Sequence, residues 1–264
     1  MQTLRVISFN LRCDVPTDGP NAWPHRREAV RQLLCERAPD LFGIQEGLPH
    51  QMAFLRDALP DYACVGEGRD GGDRGEYNAV FFRTDRWRLL AAQTFWLSTT
   101  PDVPGSRSWE SACTRIATWA RLADAQSGRS LLFLNTHLDH VSRLAREQGA
   151  ALISRRLAAE GGSCPLVVTG DLNARPEDQV VKLLLGGPPP LRDVLAEYLH
   201  LGPEQPGPGT FHAFKGRAAA GRRIDYILST PDWTVVRAAV LTEPVAGRWV
   251  SDHFPVEAEL AWPA

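Results

Sequence analysis

Apolar residues recur along the chain in short, dense runs. Stretches of strand length lie at 4–9, 41–44, 79–82, 116–122, 131–134, 166–168, 224–228, 235–241 and 256–260. Several are nearly unbroken in Val, Ile, Leu and Phe, which is the pattern of strands covered on both faces. Between them the period changes. Residues 25–38 put Ala29, Val30, Leu33, Leu34 and Ala38 on one side with Arg and Glu opposite, as an amphipathic helix requires. Residues 142–159 and 176–185 also predict helices. Gly- and Pro-rich breaks fall at 66–75, 101–106, 186–190 and 202–209, and none divides the chain into halves of different composition. The expectation is one domain over 1–264, with strands outnumbering helices and a sheet-on-sheet core flanked by helices.

Composition adds limits. A chain of 264 residues, 44% hydrophobic and 23% charged, can bury a large core. The first residues run straight into a strand, without the basic segment and apolar stretch of a signal peptide, and no apolar run is long enough to span a membrane. The five cysteines, Cys13, Cys35, Cys64, Cys113 and Cys164, are odd in number and lack C-x-x-C spacing. That favours reduced, mostly buried thiols in a cytoplasmic protein over a disulfide framework. With 29 Lys and Arg against 31 Asp and Glu, the net charge is −2. Duplex-binding proteins usually carry a basic face, so the balance mildly favours a small or single-stranded phosphoester. The pairs Arg26-Arg27, Arg155-Arg156 and Arg222-Arg223 mostly read as solvated positions.

Polar residues of one chemical kind sit at the strand ends. Asn10 follows 5–9, Glu46 follows 41–45, His137 follows 131–136, and Asp171 with Asn173 follows 166–169. Asp225 opens 224–228, and Asp252-His253 leads into 254–260. Strand ends on one edge of a sandwich can share one mouth, where loops hold functional groups on a rigid base. Taken singly, each has an ordinary structural role. Asn10 suits a turn, Glu46 a surface acid, Asp171 to Asn173 an Asx turn, His137 a structural histidine, and Asp225 an ion pair with Arg222 or Arg223. Taken together, carboxylates, amides and imidazoles can hold a hard metal ion and move protons.

The ordered set Ser8-Phe9-Asn10, Gln45-Glu46, Asn135-Thr136-His137, Gly170-Asp171-Leu172-Asn173, Arg223-Ile224-Asp225-Tyr226 and Ser251-Asp252-His253-Phe254-Pro255 resembles the motifs of the endonuclease/exonuclease/phosphatase superfamily. The match runs from residue 4 to residue 260. The resemblance implies a four-layer α/β sandwich, with two mainly antiparallel β-sheets face to face and helices on both outer sides. It further implies Mg²⁺ or Mn²⁺ on Glu46, supported by Asn10 and Asp252. Asp171, held by Asn173, would orient or deprotonate the attacking water. His137 and His253 would stabilise charge on the phosphate, and Asp225 would orient a histidine, expected to be His137.

Branches of the superfamily differ in detail. Arg12 stands where the abasic endonucleases carry an acid, and His137 where they carry a tyrosine. Both departures argue against an abasic-site repair enzyme, and the His form resembles the deoxyribonuclease, deadenylase and sphingomyelinase branches instead. The segments 94–98, 108–110 and 114–119 look like a stretch shared by deadenylase-like bacterial relatives. Arg115 is the candidate phosphate clamp, and Glu76, Asn78, Asp139, Phe211 and His212 complete the candidate substrate side. The expected function is a divalent-metal-dependent phosphoesterase using direct attack of water on a phosphodiester or phosphomonoester. The alternatives are a nuclease for single-stranded DNA or RNA and a catalytically silent binding protein. The expected partner is a small phosphoester or single-stranded nucleic acid, met by a monomer away from membranes.

Overall fold

In a computed structural model of the chain, residues 2–262 are described except 163, 203, 204, 206 and 219–221. Among the described residues, twelve strands make two sheets of six. The first contains β1 (Thr3–Asn10), β2 (Leu41–Gly47), β3 (Tyr62–Val65), β4 (Tyr77–Arg83), β11 (Thr234–Val240) and β12 (Val256–Ala261), in the order β11-β12-β1-β2-β4-β3. The second contains β5 (Trp87–Trp96), β6 (Ile116–Asp124), β7 (Ser130–His137), β8 (Leu166–Asp171), β9 (Arg192–Asp193) and β10 (Asp225–Ser229), in the order β5-β6-β7-β8-β10-β9. Each sheet has a single parallel pair, β1 with β2 and β7 with β8, and is otherwise antiparallel. A helix makes each parallel crossover, α1 (Trp23–Arg37) in the first and α3 (Arg143–Gly161) in the second.

Three apolar layers follow from strand alternation. Ile7, Phe9, Phe42 and Ile44 pack outward on α1 and on α2 (Pro49–Ala58). Leu132, Leu134 and Val168 pack outward on α3 and on α4 (Gln179–Leu185). Leu4, Val6, Leu41, Leu131, Phe133 and Val167 meet between the sheets. The expected four-layer α/β sandwich is the fold observed.

The inter-sheet face changes character along its length. Beyond the apolar layer lies a buried polar lattice centred on Asn135. Its amide donates to the Ile44 carbonyl at 2.8 Å and the Ala79 carbonyl at 3.0 Å, and its oxygen accepts from Gln45 Nε2 at 2.6 Å and Thr169 Oγ1 at 3.1 Å. One strand step further, Asn10, His137, Asp171 and Asp225 continue on the same face at the mouth.

Some expectations need correction. The helix expected over 176–185 starts at Gln179, because the Asp178 carboxylate accepts a hydrogen bond from the Arg175 amide at 2.7 Å and holds residues 175–178 as a turn. Three strands (β3, β5, β9) and two helices, α2 and α5 (Val194–Tyr198), carry no clear periodic signal; β5 is an edge strand exposed over 88–92. No cysteine is fully buried, and Cys35 is exposed. Arg26 is not solvated. It is 1% exposed and donates to the carbonyls of Leu11, Arg12, Asn21 and Val250. Among the described residues, no helix is long and apolar enough to cross a membrane.

Candidate active site

The mouth of the sandwich opens into a cleft of about 770 Å³. β1 delivers Asn10, β7 His137, β8 Asp171 and β10 Asp225, all on inter-sheet positions of central strands. Asp171 can end β8 there because Gly170 precedes it: a Cβ at Gly170 would lie 2.5 Å from the Thr136 carbonyl oxygen.

Glu46 arrives differently. Leu41, Gly43 and Gln45 face the other sheet, so simple alternation would send Glu46 to the helix side with Phe42 and Ile44. Instead the register of β2 against β4 shifts between Ile44 and Gly47, and Glu46 takes φ of 62°. This irregularity turns the carboxylate into the cleft. Arg12 (φ 58°) and Asn173 (φ 45°) also adopt the left-handed region at strand exits of the same mouth. Three non-glycine residues held there mark a site whose surroundings enforce a costly backbone.

Asp171 is the hub. Asn10 Nδ2 donates to its Oδ2 at 2.9 Å and the Asn173 amide to its Oδ1 at 2.9 Å. His137 Nε2 lies 3.5 Å away and His253 Nδ1 3.8 Å away. Burial and then the neighbouring Asp225 charge raise the Asp171 carboxyl to about 7, into the range of a general base.

The two histidines differ. His253 Nδ1 meets Asp225 Oδ2 at 2.9 Å. Burial opposes charge on this ring, but Asp225, with Asp171 behind it, outweighs burial and carries His253 to about 10, so it is an imidazolium at neutral pH. His137 accepts from Asn173 Nδ2 on Nε2 at 3.0 Å, which puts its proton on Nδ1, an atom without a partner among the described residues. Burial, reinforced by Arg115, holds His137 well below its usual value and therefore neutral.

Glu46 accepts from Asn10 Nδ2 at 3.0 Å and from the Cys13 amide at 3.1 Å. Burial works against its charge, but His253 and these donors outweigh burial and keep it ionised. Ligand atoms of Glu46, His137 and Asp171 lie within 4.8 Å of one another. Asp252 shares the cleft, and burial raises its carboxyl. Glu46, Asp171 and Asp252 gathered in one cleft offer the oxygen ligands that suit a hard divalent ion. Asn10 turns its nitrogen toward the acids and its oxygen to the Arg12 amide at 2.9 Å, so as placed it orients Glu46 and Asp171 without offering them an oxygen.

The substrate-side candidates divide. Glu76, Arg115 and Phe211 line the cleft. Glu76 pairs with Arg69 at 2.6 Å, and Arg115, 7% exposed, reaches His140 Nδ1 at 3.0 Å. Asn78, Asp139 and His212 do not form the wall, contrary to expectation. Asn78 is buried between the sheets, donating to the Ile116 carbonyl at 2.7 Å. Asp139 organises loops, accepting from Ser111, Ala112, Val141 and Ser142, with Arg115 Nε at 3.8 Å. His212 lies behind the site, its ring stacked on Phe254 with centroids 3.9 Å apart. Asp225 pairs with His253 and not with His137, because β10 lies beside β8 on the side away from β7. Its suggested partner Arg223 pairs with Asp193 at 2.6 Å. Arg69, Arg175, Arg222, His140, Cys13 and Cys113 also line the cleft; they come from loops, where no periodicity flags them.

Comparison with known proteins agrees with this geometry. The family model for the endonuclease/exonuclease/phosphatase family matches residues 7–253. The structure of an endonuclease/exonuclease/phosphatase from Bacteroides vulgatus superposes with a TM-score of 0.91 at 34% identity, covering 99% of this chain and 100% of that one. A mannosyl-6-phosphatase from Bacteroides thetaiotaomicron gives 0.88 at 33% identity, covering 98% and 100%. Nocturnin from Drosophila melanogaster is 28% identical over 181 residues, 62% of this chain but 26% of its own length. The chain spans 50% of the Xenopus laevis Nocturnin, so it matches only part of these curated relatives. A model covering nearly the whole chain, joined to relatives a third identical over their full length, places the family: the chain belongs to the endonuclease/exonuclease/phosphatase family.

Proposed function

We propose that this protein is a divalent-metal-dependent phosphoesterase acting on a small, polyhydroxylated phosphomonoester such as a sugar phosphate. The observation that carries the hydrolytic reading is Asp171, held by Asn10 and Asn173 between a neutral and a cationic histidine. A divalent ion on Glu46, with Asp252 and Asp171 beside it, would polarise a phosphoryl oxygen and offset developing charge. The remaining work belongs to the chain. Asp171 takes a proton from water as the water oxygen forms its bond to phosphorus; the ester P–O bond breaks, and the departing alcohol oxygen takes its proton from solvent. His253 spends Nδ1 on Asp225 and keeps Nε2 for a phosphate oxygen. His137 adds a neutral ring to the cleft wall, and Arg115 offers its guanidinium.

Two features support a small polyol leaving group. The Arg69–Glu76 pair and the Arg175–Asp178 turn give the cleft both donors and acceptors, as vicinal hydroxyls need. Phe211 is the one Phe, Tyr or Trp among the described residues of the cleft wall, with the His253 ring edge-on at 4.9 Å and Arg222 over it at 5.4 Å. A single-stranded nucleic acid would look for open stacking platforms. The mannosyl-6-phosphatase relative supports the same choice.

The test is an activity screen with Mg²⁺ and Mn²⁺ over a generic monoester, a generic diester, hexose 6-phosphates, inositol phosphates and single-stranded DNA and RNA. His253→Ala and chelated enzyme are the controls. Hexose phosphates should turn over fastest, with both controls inactive. Diester or nucleic-acid cleavage without monoester turnover would overturn the substrate reading. Undiminished turnover by chelated enzyme would overturn the metal requirement.

A further inference from the structure

Arg12 is set with unusual care for a loop residue. Its backbone sits in the left-handed region, where a β-carbon is disfavoured, and it is fixed from several sides. Its amide donates to Asn10 Oδ1 at 2.9 Å, and its carbonyl accepts from Gln51 Nε2 at 3.0 Å and from the buried Arg26 guanidinium. The side chain is fixed as well. Nε and Nη2 fork onto Asp18 Oδ2 and Oδ1 at 3.0 and 2.9 Å, and Nε also lies 3.7 Å from Asp252 Oδ2. Two carboxylates thus bracket one guanidinium at the edge of the cleft.

Carboxylates facing one centre from two sides are an arrangement that holds an oxygen-liganded divalent ion. Here the space between them is filled by a cation of the chain itself. The other acids of the cleft differ in how they are matched. Glu76 has Arg69 and Asp225 has His253. Glu46 accepts hydrogen bonds from neutral donors, Asn10 and the Cys13 amide, and among the described residues no cation is in direct contact with it. We propose that Arg12 is a tethered cation that occupies the position of a second metal ion, so that the protein takes up one divalent ion, at Glu46, and excludes another. This rests on the metal-dependent reading above. Arg12 also makes Asp252 a shared carboxylate, drawn partly toward its own guanidinium and partly toward the ion.

The test is the stoichiometry of Mn²⁺ binding, read by calorimetry and by the electron paramagnetic resonance of free Mn²⁺, on the full chain. Wild type should bind one ion. Arg12→Gln, similar in length but neutral, should bind two, the second at least tenfold more weakly; Arg12→Lys should remain at one. Asp18→Asn breaks the fork without touching the cleft wall and should also admit a second ion, which keeps the test decisive if Arg12→Gln does not fold. Two ions on wild type, or one ion on both Arg12→Gln and Asp18→Asn, would refute the tethered-cation role alone. No Mn²⁺ bound to wild type would remove the metal reading, and this role with it.

Discussion

Asp225 holds His253: carboxylate Oδ2 and ring Nδ1 are 2.9 Å apart, both groups buried at the end of adjoining chain segments. The bond fixes which ring nitrogen is left for substrate and keeps the ring charged. Asp225→Asn preserves shape but removes the charge. Turnover should fall by about 10- to 100-fold, the usual cost of losing a partner that orients a functional histidine. The kcat should carry most of the loss, with KM nearly unchanged. A KM-only effect would show that His253 does not need Asp225.

The pH profile should be bell-shaped. Asp171, raised to about 7, must be deprotonated to accept a proton, and His253, carried to about 10, must be protonated. The kcat/KM should rise through the first value and fall through the second. Stability follows the same shifts. The folded value of Asp171 lies above its ordinary 3.8, so the folded form holds the extra proton and stability declines as pH rises from about 4 to about 7. The folded value of His253 lies above 6.5, so its contribution is complete below 6.5 and lost as pH rises through about 10. Thermal melts of chelated protein across this range check the sign.

Glu46 reaches the cleft only through the irregularity in β2. Glu46→Gln keeps the hydrogen-bonding shape and removes the charge that a divalent ion needs. Mn²⁺ affinity should drop by more than about tenfold, with melting of the chelated protein little changed. Equal Mn²⁺ binding by the variant would move the ion elsewhere.

Asn135 satisfies backbone carbonyls of both β2 and β4 from the opposite sheet. Asn135→Leu strands those carbonyls and the amide of Gln45, so denaturant unfolding should show a loss of at least about 1 to 3 kcal/mol, the penalty for leaving a buried polar group unpaired. An unchanged midpoint would mean the lattice adds nothing to stability.

Arg26 ties the segment after Asn10 to the strand entrance before Asp252, through the carbonyls of Leu11, Arg12 and Val250. Arg26→Met should lower stability by at least about 1 to 3 kcal/mol through carbonyls left without donors. It should also weaken Mn²⁺ binding, because Arg12 and Asp252 would lose their common anchor. A variant as stable as wild type would show that the Arg26 hydrogen bonds add no net stability.

Local chemistry determined much of this protein without reference to its folded form. Apolar runs such as 131–134 and 166–168 marked the central strands, because residues buried on both faces must be apolar on both. The strand-end positions of Asn10, His137, Asp171 and Asp225 already implied one shared mouth, since period-two alternation keeps them on a common face. Their ordered motifs identified the family. Only the tertiary structure decided the rest. Which histidine Asp225 serves depends on sheet order, and the turning of Glu46 depends on a register shift in β2. Burial of Arg26 and removal of Asn78, Asp139 and His212 from the wall depend on loops and on the facing sheet. These are contacts between residues far apart in the chain, and no local period records them.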